Sequence, residues 1–165
     1  MLTQNELKQL LHYDQDTGVF TWKISKGSAY CGKTYKAKKR HYIVHRINNT
    51  KYKAHNLAWL YVYGSMPNGV IDHINGDILD NRICNLRDIT NYENSLNIKN
   101  KKNSYSRFKG AAKRNDGVYQ VQIRTKNRQI YIGRYKSEFE AAYRYDLASL
   151  QYHGEFGRRN FLPLC

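Results

Sequence analysis

The sequence predicts an α+β chain built from short antiparallel strand pairs with helices at their ends. Three observations predict it. Short runs rich in β-branched and aromatic residues are separated by turns of Asn, Asp and Gly. Three capping boxes, Thr3/Glu6, Thr90/Glu93 and Ser137/Glu140, mark helix starts. Charge is unevenly spread: residues 72–94 hold five acids and two arginines, whereas residues 95–136 hold twelve basic residues and one acid. With 165 residues, 41% of them hydrophobic, the chain can form one ordinary domain or two small ones. Each half alone would be marginal.

Taken in order, the first helix begins at the Thr3/Glu6 box and buries Leu7, Leu10 and Leu11. Asp14 to Gly18 reads as a turn, and Val19-Phe20-Thr21-Trp22 as a strand. Residues 25–40 are rich in Gly and Lys and read as loop. Residues 42–47 form a strand, Asn48-Asn49 a hairpin turn, and 51–55 the returning strand. A helix over 57–63 stops at Gly64. Residues 70–73 and 86–89 are strands, joined by an Asn-, Asp- and Gly-rich loop over 75–85. The Thr90/Glu93 box then starts a helix with Asn94 in its first turn. Residues 99–103 carry no apolar side chain and read as a basic linker. Three strands follow, over 108–113, 118–124 and 130–135. In the middle one, Gln120, Gln122 and Arg124 alternate with Tyr119, Val121 and Ile123, which gives the strand two unlike faces. The last helix begins at Ser137, with Phe139, Ala142, Tyr143, Leu147 and Leu150 expected on its buried face, and Phe139, Ala141, Ala142 and Ala148 in its packing on the sheet. It ends near Gly154. The expected divisions are 1–40, 41–100 and 101–165.

Composition narrows the classes of function. No apolar run is long enough to span a bilayer, so no membrane partner is expected. The polar start of the chain lacks a signal-peptide core, which makes a cytoplasmic location the expectation. Cys31, Cys84 and Cys165 are odd in number and show no Cys-x-x-Cys spacing, so they read as free thiols and not as a zinc site. Lysine and arginine outnumber acids 28 to 13, a formal net charge of +15, which points to a polyanionic partner.

The acidic stretch carries the chemistry. It runs through Asp72-His73-Ile74-Asn75-Gly76-Asp77, Asp80-Asn81-Arg82, Asn85-Leu86-Arg87 and Glu93-Asn94. A carboxylate and an amide oxygen suit a hard divalent cation. A neutral imidazole beside them can take a proton from water. Together these groups suffice to cut a phosphodiester, and an acidic island in a basic chain is how a cation site facing a polyanion should look. Asp77, Asp80 and Asp88 read as turn and cap residues. His55 reads as a packed histidine.

These strings, with Asn97, and the upstream Tyr13-Asp14, Thr17-Gly18, Phe20-Thr21-Trp22, Ala54-His55 and Leu57-Ala58-Trp59 segments, resemble the HNH endonucleases, and in particular the homing and nicking enzymes of phages and mobile introns. The upstream segments resemble the N-terminal part of such proteins, and over residues 41–100 the resemblance implies a ββα-metal nuclease unit. It implies that His73 is the general base, that Asp72 and Asn94 hold one Mg²⁺ or Mn²⁺, and that Asn85 braces the loop and orients His73. Asn81 and Arg82 are implied in loop bracing and phosphate contact. The products would be a 3′-hydroxyl and a 5′-phosphate. Asn94 stands where many such enzymes have a second histidine, and an amide oxygen disfavours Zn²⁺ relative to Mg²⁺ or Mn²⁺. Asn56 stands where relatives often have arginine.

Residues 104–163 resemble the Apetala-two/ethylene-response-factor DNA-binding domain. The resemblance rests on Phe108-Lys109-Gly110, the 117–123 and 131–135 strings, Glu140-Ala141-Ala142-Tyr143-Arg144-Tyr145-Asp146, Gly154 and Asn160-Phe161. It implies a three-stranded antiparallel sheet backed by one helix, with the open sheet face in a DNA groove. Residues expected at DNA are Lys113, Arg114, Gln120, Gln122, Arg124, Arg128 and Arg134, with Arg82 and Arg87 from the acidic stretch. Tyr119 or Tyr131 stands in for the tryptophans of plant relatives. Asp146 reads as structural. The expected protein is thus a site-specific DNA endonuclease that nicks double-stranded DNA as a monomer, in a bacterial host's cytoplasm if phage-encoded. The rival is a sequence-specific DNA-binding regulator with an inactive nuclease scaffold.

Overall fold

The computed structural model describes residues 2–25, 31–34, 41–98 and 106–161. The expected linker over 99–103, most of the expected loop over 25–40, and Cys165 lie outside them. The chain divides into two compact units, Met1–Thr90 and Asn91–Cys165. Among the described residues the fold is mixed α and β, with small antiparallel sheets and four α-helices.

In the first unit, Thr3 and Glu6 close a full capping box, and α1 runs Gln4–Leu10. Leu11 was expected on that helix. It instead opens β1 (Leu11–Asp14), which pairs with β2 (Val19–Trp22), Leu11 facing Trp22. Burial decides this, because the extended backbone keeps Leu11 and Tyr13 on one face, where both are buried. A second hairpin joins β3 (Val44–Ile47) to β4 (Thr50–Lys53). Its turn residues Asn48 and Asn49 both adopt positive φ, 47° and 64°, which the asparagine pair tolerates. The helix α2 (Ala54–Tyr63) follows and ends at Gly64 in the left-handed region, as expected. The third hairpin pairs β5 (Val70–His73) with β6 (Leu86–Ile89), Asp72 facing Arg87 and His73 facing Leu86. Leu7, Leu11, Phe20, Trp22, Ile47, Leu57, Leu60 and Leu86 share one core.

The second unit starts with α3 (Asn91–Leu96). Strands β7 (Ala111–Lys113), β8 (Tyr119–Arg124) and β9 (Gln129–Tyr135) form an antiparallel sheet in that order. The helix α4 (Glu138–His153) packs on it, with Ser137 accepting from the Glu140 amide. The core joins Ala111, Val121 and Ile123 to Ala141, Tyr145 and Ala148. The expected buried face of α4 needs correction. Ala141, Ala142 and Ala148 are buried, but Phe139, Tyr143, Leu147 and Leu150 are 39–56% exposed. Small residues let the helix sit close on the sheet, so the larger apolar side chains point away. Phe139 joins Phe108 and Phe161 in a ring cluster. The same closeness governs Gly110, whose φ is +79° and whose added Cβ would fall inside the Tyr145 ring. Asp146 is fully buried and accepts from the amides of Asn160 and Phe161, a structural role.

Candidate active site

The β5–β6 hairpin collects four buried polar side chains: Asp72, His73, Asn81 and Asn85, none more than 7% exposed. Polar groups are buried at a cost unless they are bonded, and this loop bonds them. Arg87, opposite Asp72 in the ladder, donates from Nε (3.0 Å) and Nη2 (2.8 Å), both to Asp72 Oδ2. Both side chains are largely shielded from water, so this is a held pair and not a passing surface contact.

Asn85 is the brace. Its Oδ1 accepts from the Asn75 amide at 3.0 Å, and its Nδ2 donates to Asn75 Oδ1 (3.1 Å) and the Asp80 carbonyl (2.8 Å). The Ile74 amide adds a backbone bond to the Asn85 carbonyl. The acids of the loop serve turns and caps. Asp80 takes Arg82 in two bonds, 2.8 and 2.6 Å, which hold its carboxyl down at about 2. Asp77 accepts from the Leu79 amide, and Asp88 from those of Asn68 and Gly69.

The His73 ring is set by Asn81. Asn81 Nδ2 donates to the Leu79 carbonyl at 3.2 Å, so its Oδ1 is the atom facing His73 Nε2, at 3.3 Å. An acceptor at that position requires the proton on Nε2, which makes Nδ1 the basic nitrogen of the neutral ring. Burial pushes the His73 pKa below the usual histidine value, against the opposing pull of Asn81 and of the carboxylates of Asp72, Asp80 and Asp77. His55 stands edge-on to His73 with ring centres 5.2 Å apart, and Tyr42 contacts both rings. Burial, the charge of His73 and that of Lys53 push His55 down to about 3, so it is neutral.

The N-terminal hairpin supports this loop from behind. Tyr13 donates its hydroxyl proton to the Asn81 carbonyl at 2.6 Å. Gly18, at φ +72°, lies so close to Asn81 and Arg82 that an added Cβ would stand 2.5 Å from their backbone. The upstream residues that resembled the nuclease family are therefore in contact with the site loop.

Asp72, His73 and Asn85 come together in the first unit, with Arg87 and Arg82 in ion pairs. Asn94 is half-buried on α3 of the second unit. In that unit Val121 and Ile123 face α4, so Gln120, Gln122 and Arg124 line the other face, where the register adds Arg134 and Tyr131. Arg134 also bonds Asp116 at 2.5 Å. Lys113 pairs with Tyr119 on the helix side, its ammonium 6.0 Å over that ring. Arg114 and Arg128 are exposed in the turns.

Sequence reasoning missed three contacts: Arg87 on Asp72, Asn81 on His73, and the Tyr42–His55–His73 ring cluster. The first was readable, since a symmetric hairpin over 70–89 places 72 opposite 87. Asn81 meets His73 within the same hairpin loop, eight residues on, through a loop shape that no sequence pattern specifies, and the ring cluster joins segments far apart in sequence.

Cys31 and Cys84 are free and exposed. No helix among the described residues is long and apolar enough to cross a membrane. None of the curated proteins compared with the chain matches it. The family model described as HNH endonuclease matches residues 52–96, from β4 through α3, which supports an HNH nuclease acting on DNA, a class that generally uses a divalent metal ion.

Proposed function

We propose that the chain is a site-specific endonuclease that nicks double-stranded DNA, of the homing type, with a C-terminal DNA-reading unit of the Apetala-two kind and nuclease residues within 41–100. The observation that carries this reading is the buried Asp72–His73 pair on one strand, each side chain oriented by its own partner, Arg87 and Asn81. Such fixed geometry is what catalysis needs and a spent scaffold does not.

In this reading His73 Nδ1 takes a proton from water as the water oxygen attacks phosphorus in line. The bond from phosphorus to the 3′ oxygen breaks, that oxygen takes up a proton, and the products are a 3′-hydroxyl and a 5′-phosphate. Asn81 holds Nε2–H and keeps Nδ1 basic, while Asn85 keeps the loop from reshaping around the ring. Asp72 and Asn94 are the residues to hold Mg²⁺ or Mn²⁺. The donor set fits that class of ion, because hard cations in phosphate chemistry take few protein oxygens and complete their shell with substrate and water. No group of three or more His, Cys, Asp or Glu side chains forms a closed metal cage among the described residues. A bound cation would offset the charge growing on the phosphate and leaving oxygen. Gln120, Gln122, Arg124 and Arg134 on the open sheet face, with Arg114 and Arg128 in the turns, would read the duplex. One site serves one strand, so a monomer nicks.

The test is relaxation of supercoiled plasmid in Mg²⁺ or Mn²⁺. His73→Ala should slow nicking by roughly 10²–10⁴-fold with duplex binding kept. Equal activity in both proteins, or inactivity of both beside intact binding, would sink the reading.

A further inference from the structure

A cavity of about 490 Å³ in the second unit has no part in the proposed cleavage. It is bounded by α3, the segment before β7, the end of β8 with its following turn, and α4 at Tyr145 and His153. Its wall carries Lys109, Arg124 and Lys126 and no carboxylate. Its more buried side is Tyr145 and His153, 4% and 7% exposed, with Tyr92 and Leu96 beside them.

Lys109 shows why an occupant is called for. Its ammonium donates to the Leu96 carbonyl at 2.5 Å, and no carboxylate pairs with it among the described residues. Burial and the charge of Arg158 push its pKa down to about 8. A desolvated cation with the charge of Arg158 acting on it is in an unfavourable setting until an anion arrives. His153 is held by the protein itself: its Nε2 donates to the Arg124 carbonyl at 2.8 Å, and its Nδ1 is buried.

An inorganic anion answers that need but would leave most of the volume empty. A nucleotide answers it and fills more of the space: its phosphate suits the three cations at the exposed side, and its base suits the Tyr92 and Tyr145 rings. Gln122 and Arg124 belong both to the open face of the sheet and to this wall. A strand lying on the sheet face would therefore pass the mouth of the cavity.

We propose that this cavity binds one unpaired nucleotide, with phosphate on Lys109, Arg124 and Lys126 and the base against Tyr92 and Tyr145. The nucleotide comes either from a DNA strand, as a base out of its stack, or free from solution. The proposal does not depend on cleavage, and its test has no cleavage readout.

The experiment is calorimetric titration of the full chain, with chelator present, using deoxynucleoside 5′-monophosphates, 2-deoxyribose 5-phosphate and inorganic phosphate. A mononucleotide should bind one to one, at least about tenfold more tightly than inorganic phosphate or the base-free sugar phosphate. Lys126→Ala, on an exposed turn, should weaken it by about tenfold, as should Lys109→Met, whose folding is checked by its melting curve. A second arm compares duplexes with and without one unpaired nucleotide. Preference for the unpaired site, lost in Lys126→Ala, assigns the strand as the source. Mononucleotide binding without that preference assigns free nucleotide. Inorganic phosphate binding as tightly as every mononucleotide, no binding of any mononucleotide at millimolar concentration, or unchanged affinity in Lys126→Ala overturns the proposal.

Discussion

The β5–β6 hairpin and the β8–β9 ladder are both antiparallel and both polar, yet they treat polarity in opposite ways. On the first, Asp72, His73, Asn81 and Asn85 are drawn out of water. On the second, Arg124, Gln129, Tyr131 and Arg134 stand exposed on the open face or at its edge. Buried polar groups hold one geometry, because each lost bond leaves its partner stranded. Exposed cations hold no fixed geometry and cost the fold little, but they can meet a surface that is itself charged and variable. Changes to the hairpin should therefore move stability and chemistry together. Changes to the sheet face should move binding alone.

Acidification tests the buried side most strongly. Burial alone holds His45 down to about 4, and His55 lies at about 3. Both values are depressed, so the unfolded chain binds protons first. Their contribution is whole above about pH 6.5 and is lost as pH falls through the window toward 4 and then 3. The loss should reach the order of a few kcal/mol per imidazole. Thermal melts from pH 7.5 to pH 4.5 should show a steep fall, flattened in His55→Phe. A flat profile in the wild type would mean these rings are open to water.

Asn85→Ala comes next. It removes three side-chain bonds from a residue 7% exposed. At about 1 kcal/mol each, the loss should approach roughly 3 kcal/mol in urea unfolding. Nicking should fall with it, because the loop that sets His73 loosens. Lost nicking with unchanged stability would give Asn85 a direct part in the reaction instead of a bracing one.

The hairpins were legible in the sequence because turn chemistry is local. Asn48-Asn49, Gly64 and the capping box at Thr3 act within a few residues, and β2, β5 and β6 fall on the residues expected. Leu11 and the face of α4 were misread for one shared reason. Periodicity records where apolar residues recur, but not how closely the next layer approaches. On α4 the expected alanine contacts at 141, 142 and 148 are buried, but the large residues form a stripe of their own, and only the sheet's position shows that they lie outside the contact. The candidate site was legible only as a set of residue types. Which atom meets which was not, since the Asn81 amide and the Tyr13 hydroxyl converge on it from separate hairpins.

Tyr13→Phe isolates that convergence. It deletes one buried hydroxyl and leaves the ring stacked on Phe20, 4.6 Å between centres. The cost should be about 1 kcal/mol in unfolding, with a modest loss of nicking as Asn81 gains freedom. No loss of nicking at that stability cost would show that the Asn81 loop holds its shape without the N-terminal hairpin.

The smallest effect on the fold belongs to Arg128→Ala, in the exposed turn between β8 and β9. Stability should change by less than about 0.5 kcal/mol. If Arg128 meets a phosphate, affinity for duplex should weaken, and the slope of log affinity against log salt should fall by about 1, because one fewer counterion is released. If Arg128 instead reads a base, the loss should depend on sequence while the slope stays nearer the wild-type value. A variant that binds every duplex as the wild type does, with the same slope, would place this end of the sheet off the DNA. The binding surface would then centre on Gln120 and Arg134, at the other end of the ladder.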